Sequence, residues 1–154
     1  MVQGNIVSIH ITSAASQPMQ SLAEVKSIAG KGLEGDRYFL ESGTYSAKPE
    51  PSRQVTLIEI ESIEALQREE GVIIQPGEAR RNLVTLGVPL NHLVGKQFRV
   101  GEAILRGIRL CEPCSHLASL TEARVLPGLV HRGGLRAEIL RGGMIQVGDE
   151  LAEI

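Results

Sequence analysis

The 154-residue chain has few aromatic residues, only two cysteines and little excess charge. Its formal net charge of -2 argues against a nucleic-acid-binding protein, which needs a basic surface. No apolar run approaches the ~18 residues of a membrane-spanning helix. The first residues, MVQGNIVSIH, lack the basic and apolar regions of an export signal. We therefore expect a cytoplasmic protein that binds neither nucleic acid nor membrane.

Glycine is abundant, with 17 residues, whereas aromatic residues make up 3% of the chain. This composition favours turn-rich β structure over a helical bundle. A hydrophobic fraction of 42% is typical of a globular protein, and the length suits one domain. We expect a single domain over residues 1–154, with its core at about 7–151.

Short apolar segments separated by glycine turns predict a barrel-like sheet, closed or partly closed. The predicted strands are 7–11, 22–26, 54–58, 82–86, 97–100, 103–109, 135–140 and 144–147. Residues 59–70 have a helical apolar period that ends at Gly71. Segments 88–94 and 115–130 are expected to hold short helices, and 41–52 a mobile loop.

The stretch GKGLEGDRYF contains the spacing G-x-G-x-x-G at Gly30, Gly32 and Gly35. A dinucleotide-binding loop needs a helix that begins at the third glycine. Gly43 and Pro49 follow closely, and the segment between has no helical period. The sequence therefore predicts no helix here and no nucleotide-binding fingerprint.

Cys111 and Cys114 have C-x-x-C spacing within RLCEPCSHL. Attachment of a c-type haem is excluded because Ser115, not histidine, follows the second cysteine. A zinc site, a redox pair, a reactive thiol and two buried core cysteines all stay possible. Cys114 is the better candidate nucleophile or metal ligand because it precedes a possible helix, whose N-terminus lowers a thiol pKa.

Five arginines occur beside glycine, proline or polar turn residues rather than inside periodic segments. They are Arg37, Arg53, Arg80, Arg81 and Arg132. Guanidinium groups bind phosphate in a bidentate manner, and glycine-exposed backbone N–H groups bind anions as well. The pattern predicts an anion pocket at the rim of the barrel.

Several blocks, in order, resemble a stand-alone MOSC domain, the module at the C-terminus of molybdenum cofactor sulfurases. The blocks are GLEGDRYF, RQVTLIEIESIEAL, GEARRNLVTLGVPLNHLVGKQFRVGEAIL, RLCEPCSHL and HRGGLRAEILRGGMIQVGDEL. The resemblance implies a mostly β fold with a few short helices, related to the pyruvate-kinase-type β-barrel. It also implies that Cys114 is the cysteine that coordinates molybdenum in relatives that reduce N-hydroxylated compounds.

The resemblance implies that the protein binds the molybdenum cofactor and is a component of an oxidoreductase. The expected cofactor-binding residues, besides Cys114, are Gly35, Asp36, Arg37, Arg53, Arg81, Asn82, His116, Arg132 and Gly133. Asp36 would either orient Arg37 or cap a turn. A separate reductase would supply electrons for a small-molecule substrate.

Two alternatives stay open. In one, Cys114 carries sulfane sulfur as a persulfide that a separate cysteine desulfurase supplies, since the chain shows no pyridoxal-phosphate site of its own. In the other, the domain is a cofactor-free regulator.

Overall fold

The computed structural model describes residues 2–40, 50–113, 115–121 and 123–154, without the side chains of Ser115 and His116. Strands dominate it. They are β1 (Gln3–Ile11), β2 (Gln20–Leu22), β3 (Glu24–Ile28), β4 (Gly32–Leu33), β5 (Val55–Glu59), β6 (Leu83–Leu86), β7 (Gln97–Val100), β8 (Ala103–Leu110), β9 (Leu135–Arg141), β10 (Gly143–Gln146) and β11 (Glu150–Glu153).

The helices of the described chain are short. They are α1 (Arg37–Leu40), α2 (Ile60–Ala65), α3 (Ser115–Leu120) and α4 (Val125–Gly128). A π-helical turn, Leu66–Glu70, continues α2, and 3-10 turns cover Pro76–Ala79 and Leu90–Leu93. No helix in these described ranges is long and apolar enough to cross a membrane.

Seven strands close a β-barrel in the order β11-β7-β8-β9-β5-β6-β1, with β1 pairing back to β11. β2 lies outside this ring, at the edge beside β1, and β10, β3 and β4 form a separate small sheet. β5 and β6 are parallel, so their connection must cross over, and it carries α2.

Two hydrophobic clusters lie on opposite sides of the parallel pair. Leu57 and Leu83 face the barrel interior, whereas Ile58 and Val84, next to them in sequence, pack under the helices. Successive side chains of a strand point to opposite faces, so strands covered on both sides become continuously apolar. The helical layer thus covers one side of the barrel, and Leu117, Val125 and Leu129 pack within it.

The barrel prediction is confirmed, and each of the eight predicted strands overlaps a strand of the structure. The segment predicted as one strand at 22–26 is divided between β2 and β3. The predicted helix at 59–70 is α-helical only to Ala65, and Gly71 ends its π-helical continuation with φ 68°. Strand β11 was not predicted, although it closes the barrel. Most of the predicted loop 41–52 lies outside the described residues.

The prediction that no helix begins after Gly35 is wrong. Helix α1 starts at Arg37 and makes one turn. Gly43 and Pro49 stand several residues downstream, so they limit the length of a helix here but not its start. Four residues are too few for an N-terminal phosphate site of the nucleotide-binding kind, which stays excluded.

Strand β6 provides a matched test of the barrel core. Leu83 is fully buried, whereas Leu86, three residues later, is 48% exposed. We expect Leu83→Ala to lower the free energy of unfolding by about 2–5 kcal/mol, because it leaves a cavity. Leu86→Ala should change it by no more than about 0.5 kcal/mol. Urea denaturation of both variants measures the difference, and equal losses would contradict the assignment of the barrel interior.

Candidate functional site

A tight turn brings Asp36 beneath the end of β1. Gly35 has φ 88°, which glycine adopts without strain, and the Asp36 N–H donates to the Leu33 carbonyl at 3.0 Å. The Asp36 side chain is fully buried. Its Oδ1 accepts from the Thr12 N–H at 3.2 Å, and its Oδ2 from the Tyr38 N–H at 3.4 Å. The carboxyl group therefore caps α1 and ties it to the end of β1.

Arg37 is buried directly against this carboxyl group. Its Nη1 lies 3.2 Å from Asp36 Oδ1 and 3.6 Å from Met19 Sδ, and its Nη2 donates to the Arg80 carbonyl at 3.2 Å. The guanidinium carbon stands 4.7 Å from the centre of the Tyr38 ring, a cation–π contact. Asp36 thus performs both functions expected of it, capping a turn and contacting Arg37.

Burial raises the pKa of Asp36 above its ordinary value. The Arg37 guanidinium and the N–H groups of Thr12, Tyr38 and Arg37 act in the opposite direction, but desolvation prevails. Asp36 thus combines burial, which disfavours its charged form, with an ion pair to Arg37, which favours it.

Arg80 adds a second guanidinium beside the first. Its backbone is left-handed, with φ 58°, and its Nη1 donates to the Gln17 carbonyl at 2.6 Å. Burial lowers the pKa of Arg80, and the nearby Arg37 charge lowers it further. Among the residues that the structure describes, no carboxylate forms an ion pair with Arg80. Positive charge at such a half-buried position favours the binding of an anion.

The Arg81 side chain forms hydrogen bonds with three segments of the chain. Its side chain is buried, with Nε donating to the Gly133 carbonyl at 2.8 Å and Nη2 to the Cys111 carbonyl at 3.0 Å. Its Nη1 donates to the Ala79 carbonyl at 3.4 Å. Arg81 therefore braces the backbone that leads to Cys114.

Asn82 links β1 to β5. Its Oδ1 accepts from the Thr56 N–H at 3.0 Å and from the Thr56 hydroxyl at 3.2 Å, and its Nδ2 donates to the His10 carbonyl at 3.0 Å. The residue is fully buried. Both amide atoms of its side chain are thus bonded within the protein, as is typical of an asparagine that holds strands in register.

The segment before Cys114 is fastened to residues 131–134. The Cys111 N–H donates to the Gly134 carbonyl at 2.7 Å, and the Cys111 side chain is buried. The Glu112 carboxylate accepts from the His131 N–H at 2.7 Å and lies 2.9 Å from His131 Nδ1. A Cβ atom at Gly133 would collide with the Cys111 carbonyl oxygen, so only glycine allows this close approach.

The remaining predicted arginines lie in other surroundings. Arg132 forms an ion pair with Glu69 at 2.6 Å and lines a cleft of about 400 Å³ with Arg68 and His92. Arg53 Nε is 3.8 Å from Glu50 Oε1. The structure thus brings Asp36, Arg37 and Arg80 together, whereas Arg132 lines a different cleft.

The prediction for Cys114 lies outside the described residues, and so does the position of the His116 side chain. No group of three histidine, cysteine, aspartate or glutamate side chains in the described part of the chain could hold a metal ion. Arg80 is one of the five arginines predicted to form an anion pocket, but it is not among the expected cofactor-binding residues. Its motif GEARRN drew attention to it, but only the left-handed turn places it beside Arg37.

Comparison with known proteins identifies relatives. The model of the MOSC domain matches residues 44–152. The YuaD protein of Bacillus subtilis superposes with a TM-score of 0.80 at 17% identity, covering 97% of this chain and 94% of that one. YiiM of Geobacillus stearothermophilus gives 0.71 at 18%, covering 98% and 75%. YiiM of Escherichia coli gives 0.67 at 18%, covering 97% and 69%. Comparison with curated protein sequences finds no match.

The structural role of Arg81 can be tested by replacing its planar guanidinium group with an ammonium group. We expect Arg81→Lys to lower the free energy of unfolding by about 2–4 kcal/mol, because an ammonium group leaves buried carbonyls unpaired. Hydrogen exchange of the Cys111 amide should accelerate as well. Arg109→Lys, at a side chain 55% exposed, is the control and should have little effect. Unchanged protection at Cys111 would contradict the brace.

The raised pKa of Asp36 predicts a pH dependence of stability. The folded protein binds a proton at Asp36 more tightly than the unfolded chain, whose aspartate pKa is about 4. The resulting stabilisation is complete below that value and is lost as the pH rises through the folded pKa. The difference in unfolding free energy between wild type and Asp36→Asn should therefore shrink as the pH rises above about 4. A difference that grows with pH would show that the ionised form is preferred instead.

Proposed function

The chain belongs to the MOSC domain family, and on that premise we propose that it binds the molybdenum cofactor, with the Cys114 thiolate as a ligand of the metal. MOSC domains are associated in general with this cofactor. The observation that carries the proposal is the closeness of two cationic residues: Arg37 pairs with the buried Asp36 and donates to the Arg80 carbonyl, and its charge lowers the pKa of Arg80, after the larger effect of burial.

The charges of this cluster fit the phosphate of a pterin cofactor. Arg37 is held by Asp36 and by the Arg80 carbonyl, so its position is fixed before any ligand arrives. Arg80 is half-buried, and its pKa is lowered by burial first and by the nearby Arg37 charge second. An anion would relieve both the desolvation and the repulsion between the two cations, which makes phosphate a natural partner.

The donor set also suits molybdenum. A cysteine thiolate is a soft ligand and matches a soft, sulfur-rich metal centre. The backbone on the N-terminal side of Cys114 is held by Arg81 and by the Glu112–His131 contacts. A ligand placed on a braced segment needs little further ordering when it binds.

When bound, the cofactor supplies a metal centre that can remove oxygen from an N-hydroxylated compound. The overall change consumes two electrons and two protons and releases the N–H compound and water. A separate reductase must deliver the electrons. The described residues contribute binding and orientation: Arg37 and Arg80 hold the anion, and Arg81 positions the backbone beside the thiolate.

Elemental analysis of the purified protein tests the proposal. After expression in a host that makes the cofactor and is supplied with molybdate, we expect molybdenum to copurify. Cys114→Ser should lose the metal while thermal unfolding stays unchanged, and Cys111→Ala is the matched control that keeps it. Arg80→Gln should lower the metal content about tenfold, in contrast to Arg109→Gln at an exposed arginine.

A metal-free protein from such a host would overturn the proposal. Mass spectrometry of the same preparation, incubated with a cysteine desulfurase, then separates the remaining functions. A persulfide on Cys114 would support a sulfur carrier. An unmodified Cys114 in a metal-free protein would leave a cofactor-free regulator as the remaining function.

A further inference from the structure

A serine and a buried histidine meet at the base of a second cleft. The Ser21 hydroxyl lies 3.2 Å from His10 Nδ1. Ser21 is exposed on β2 and lines a cleft of about 440 Å³, whose walls include Met19, Gly77 and Arg80. A hydroxyl group that is bonded to an imidazole and open to a cleft is the arrangement from which serine nucleophiles are built.

Strand pairing fixes the two side chains in this arrangement. His10 and Ser21 are direct partners in the antiparallel pair of β1 and β2. The His10 N–H and carbonyl are both bonded to Asn82 on the other side, so the pair is of the non-hydrogen-bonded type, in which side chains approach most closely. The same geometry directs the Ser21 N–H away from β1, toward the outer edge of the sheet.

The imidazole is held in place on its other side. His10 Nε2 lies 2.8 Å from the Ser8 hydroxyl, and a Cβ atom at Gly77 would stand 3.1 Å from Nδ1. The residue is almost fully buried, and this burial lowers its pKa. At neutral pH the ring is therefore uncharged and able to accept a proton.

We propose that Ser21 is an acyl-accepting nucleophile, with His10 as its general base and the cleft above them as the site for a small carboxylic ester. The reactive tautomer carries its proton on Nε2, which donates to Ser8, and accepts the Ser21 proton at Nδ1. This activity is independent of Cys114 and of any metal.

The reaction balances with water as the only co-reactant. Ser21 Oγ forms a bond to the acyl carbon while its proton passes to His10 Nδ1, and the Ser21 N–H can donate to the developing oxyanion. The bond to the alcohol oxygen breaks, and that oxygen leaves with the proton from His10. Water then attacks the acyl group with His10 again as base, which releases the acid and restores the serine.

The surroundings of the ring define the expected pH dependence. Its described neighbours are the Ser8 and Ser21 hydroxyls and Gly77, and the charged groups of the cleft are Glu78 and Arg80. Because a protonated ring cannot act as base, the rate of acylation should rise with pH. Its midpoint should lie below the ordinary histidine pKa of about 6.5.

A fluorophosphonate probe, which phosphonylates activated serines with loss of fluoride, tests the proposal directly. Mass mapping should find the adduct on Ser21 and not on Ser16, an exposed serine of the same cleft. Ser21→Ala should abolish labelling and the hydrolysis of p-nitrophenyl acetate. Cys114→Ser should be labelled like the wild type, so failure of this activity and failure of cofactor binding can be told apart.

The role of His10 as the general base is tested by the rate at which the probe labels Ser21. His10→Gln should slow labelling at least about 100-fold, and Ser8→Ala about tenfold, because the ring then loses one of its two hydrogen bonds. Circular dichroism checks the fold, and if the buried His10 variant does not fold, Ser8→Ala and the pH profile decide. Absence of a Ser21 adduct, or a labelling rate that neither the Ser8 substitution nor pH changes, would overturn the proposal.

Discussion

The buried guanidinium of Arg81 is the interaction on which the arrangement of the candidate site depends. Burying a cation is costly unless its donors are satisfied, and Arg81 satisfies them with the carbonyls of Ala79, Cys111 and Gly133. These carbonyls belong to segments that are far apart in sequence, so a single side chain couples their positions. The close approach at Gly133 strengthens this coupling, because the two backbones are in contact where Arg81 bridges them. The segment before Cys114 is therefore positioned by the core of the protein rather than by its own short helix.

The adjacent arginine, Arg80, has the opposite role, and the difference comes from the backbone. Arg80 adopts a left-handed conformation at the end of a 3-10 turn, whereas Arg81 follows it toward β6. Consecutive guanidinium groups thereby reach different partners: that of Arg81 donates to buried carbonyls, and that of Arg80 donates to the Gln17 carbonyl. Asp36 forms an ion pair with Arg37, whereas the Arg80 guanidinium donates to the Gln17 carbonyl. This asymmetry favours an anionic ligand without requiring any rearrangement of the protein.

The sequence predicts the barrel well because its strands are local apolar segments bounded by glycine turns. It fails at β11, a four-residue strand whose identity depends on pairing with β1 and β7 from distant parts of the chain. The site is less predictable for a different reason. Arg37 and Arg81 have polar loop contexts and Asn82 begins a predicted strand, yet all three form internal hydrogen bonds. Residue type and spacing do not distinguish a side chain that binds a ligand from one that holds two loops together.

Strand β1 connects the two parts of the molecule to which we assign chemistry. Ile9 and Ile11 face the barrel core, so His10 between them must face outward. Its backbone is bonded to Asn82 and its ring to Ser21, while the N–H of Thr12, two residues later, holds Asp36. The same few residues of one strand thus support the cationic cluster through the backbone and the Ser21–His10 pair through a side chain. Because these supports use different atoms, loss of the imidazole leaves the anchor of Asp36 in place, although Arg80 belongs both to the cationic cluster and to the Ser21 cleft.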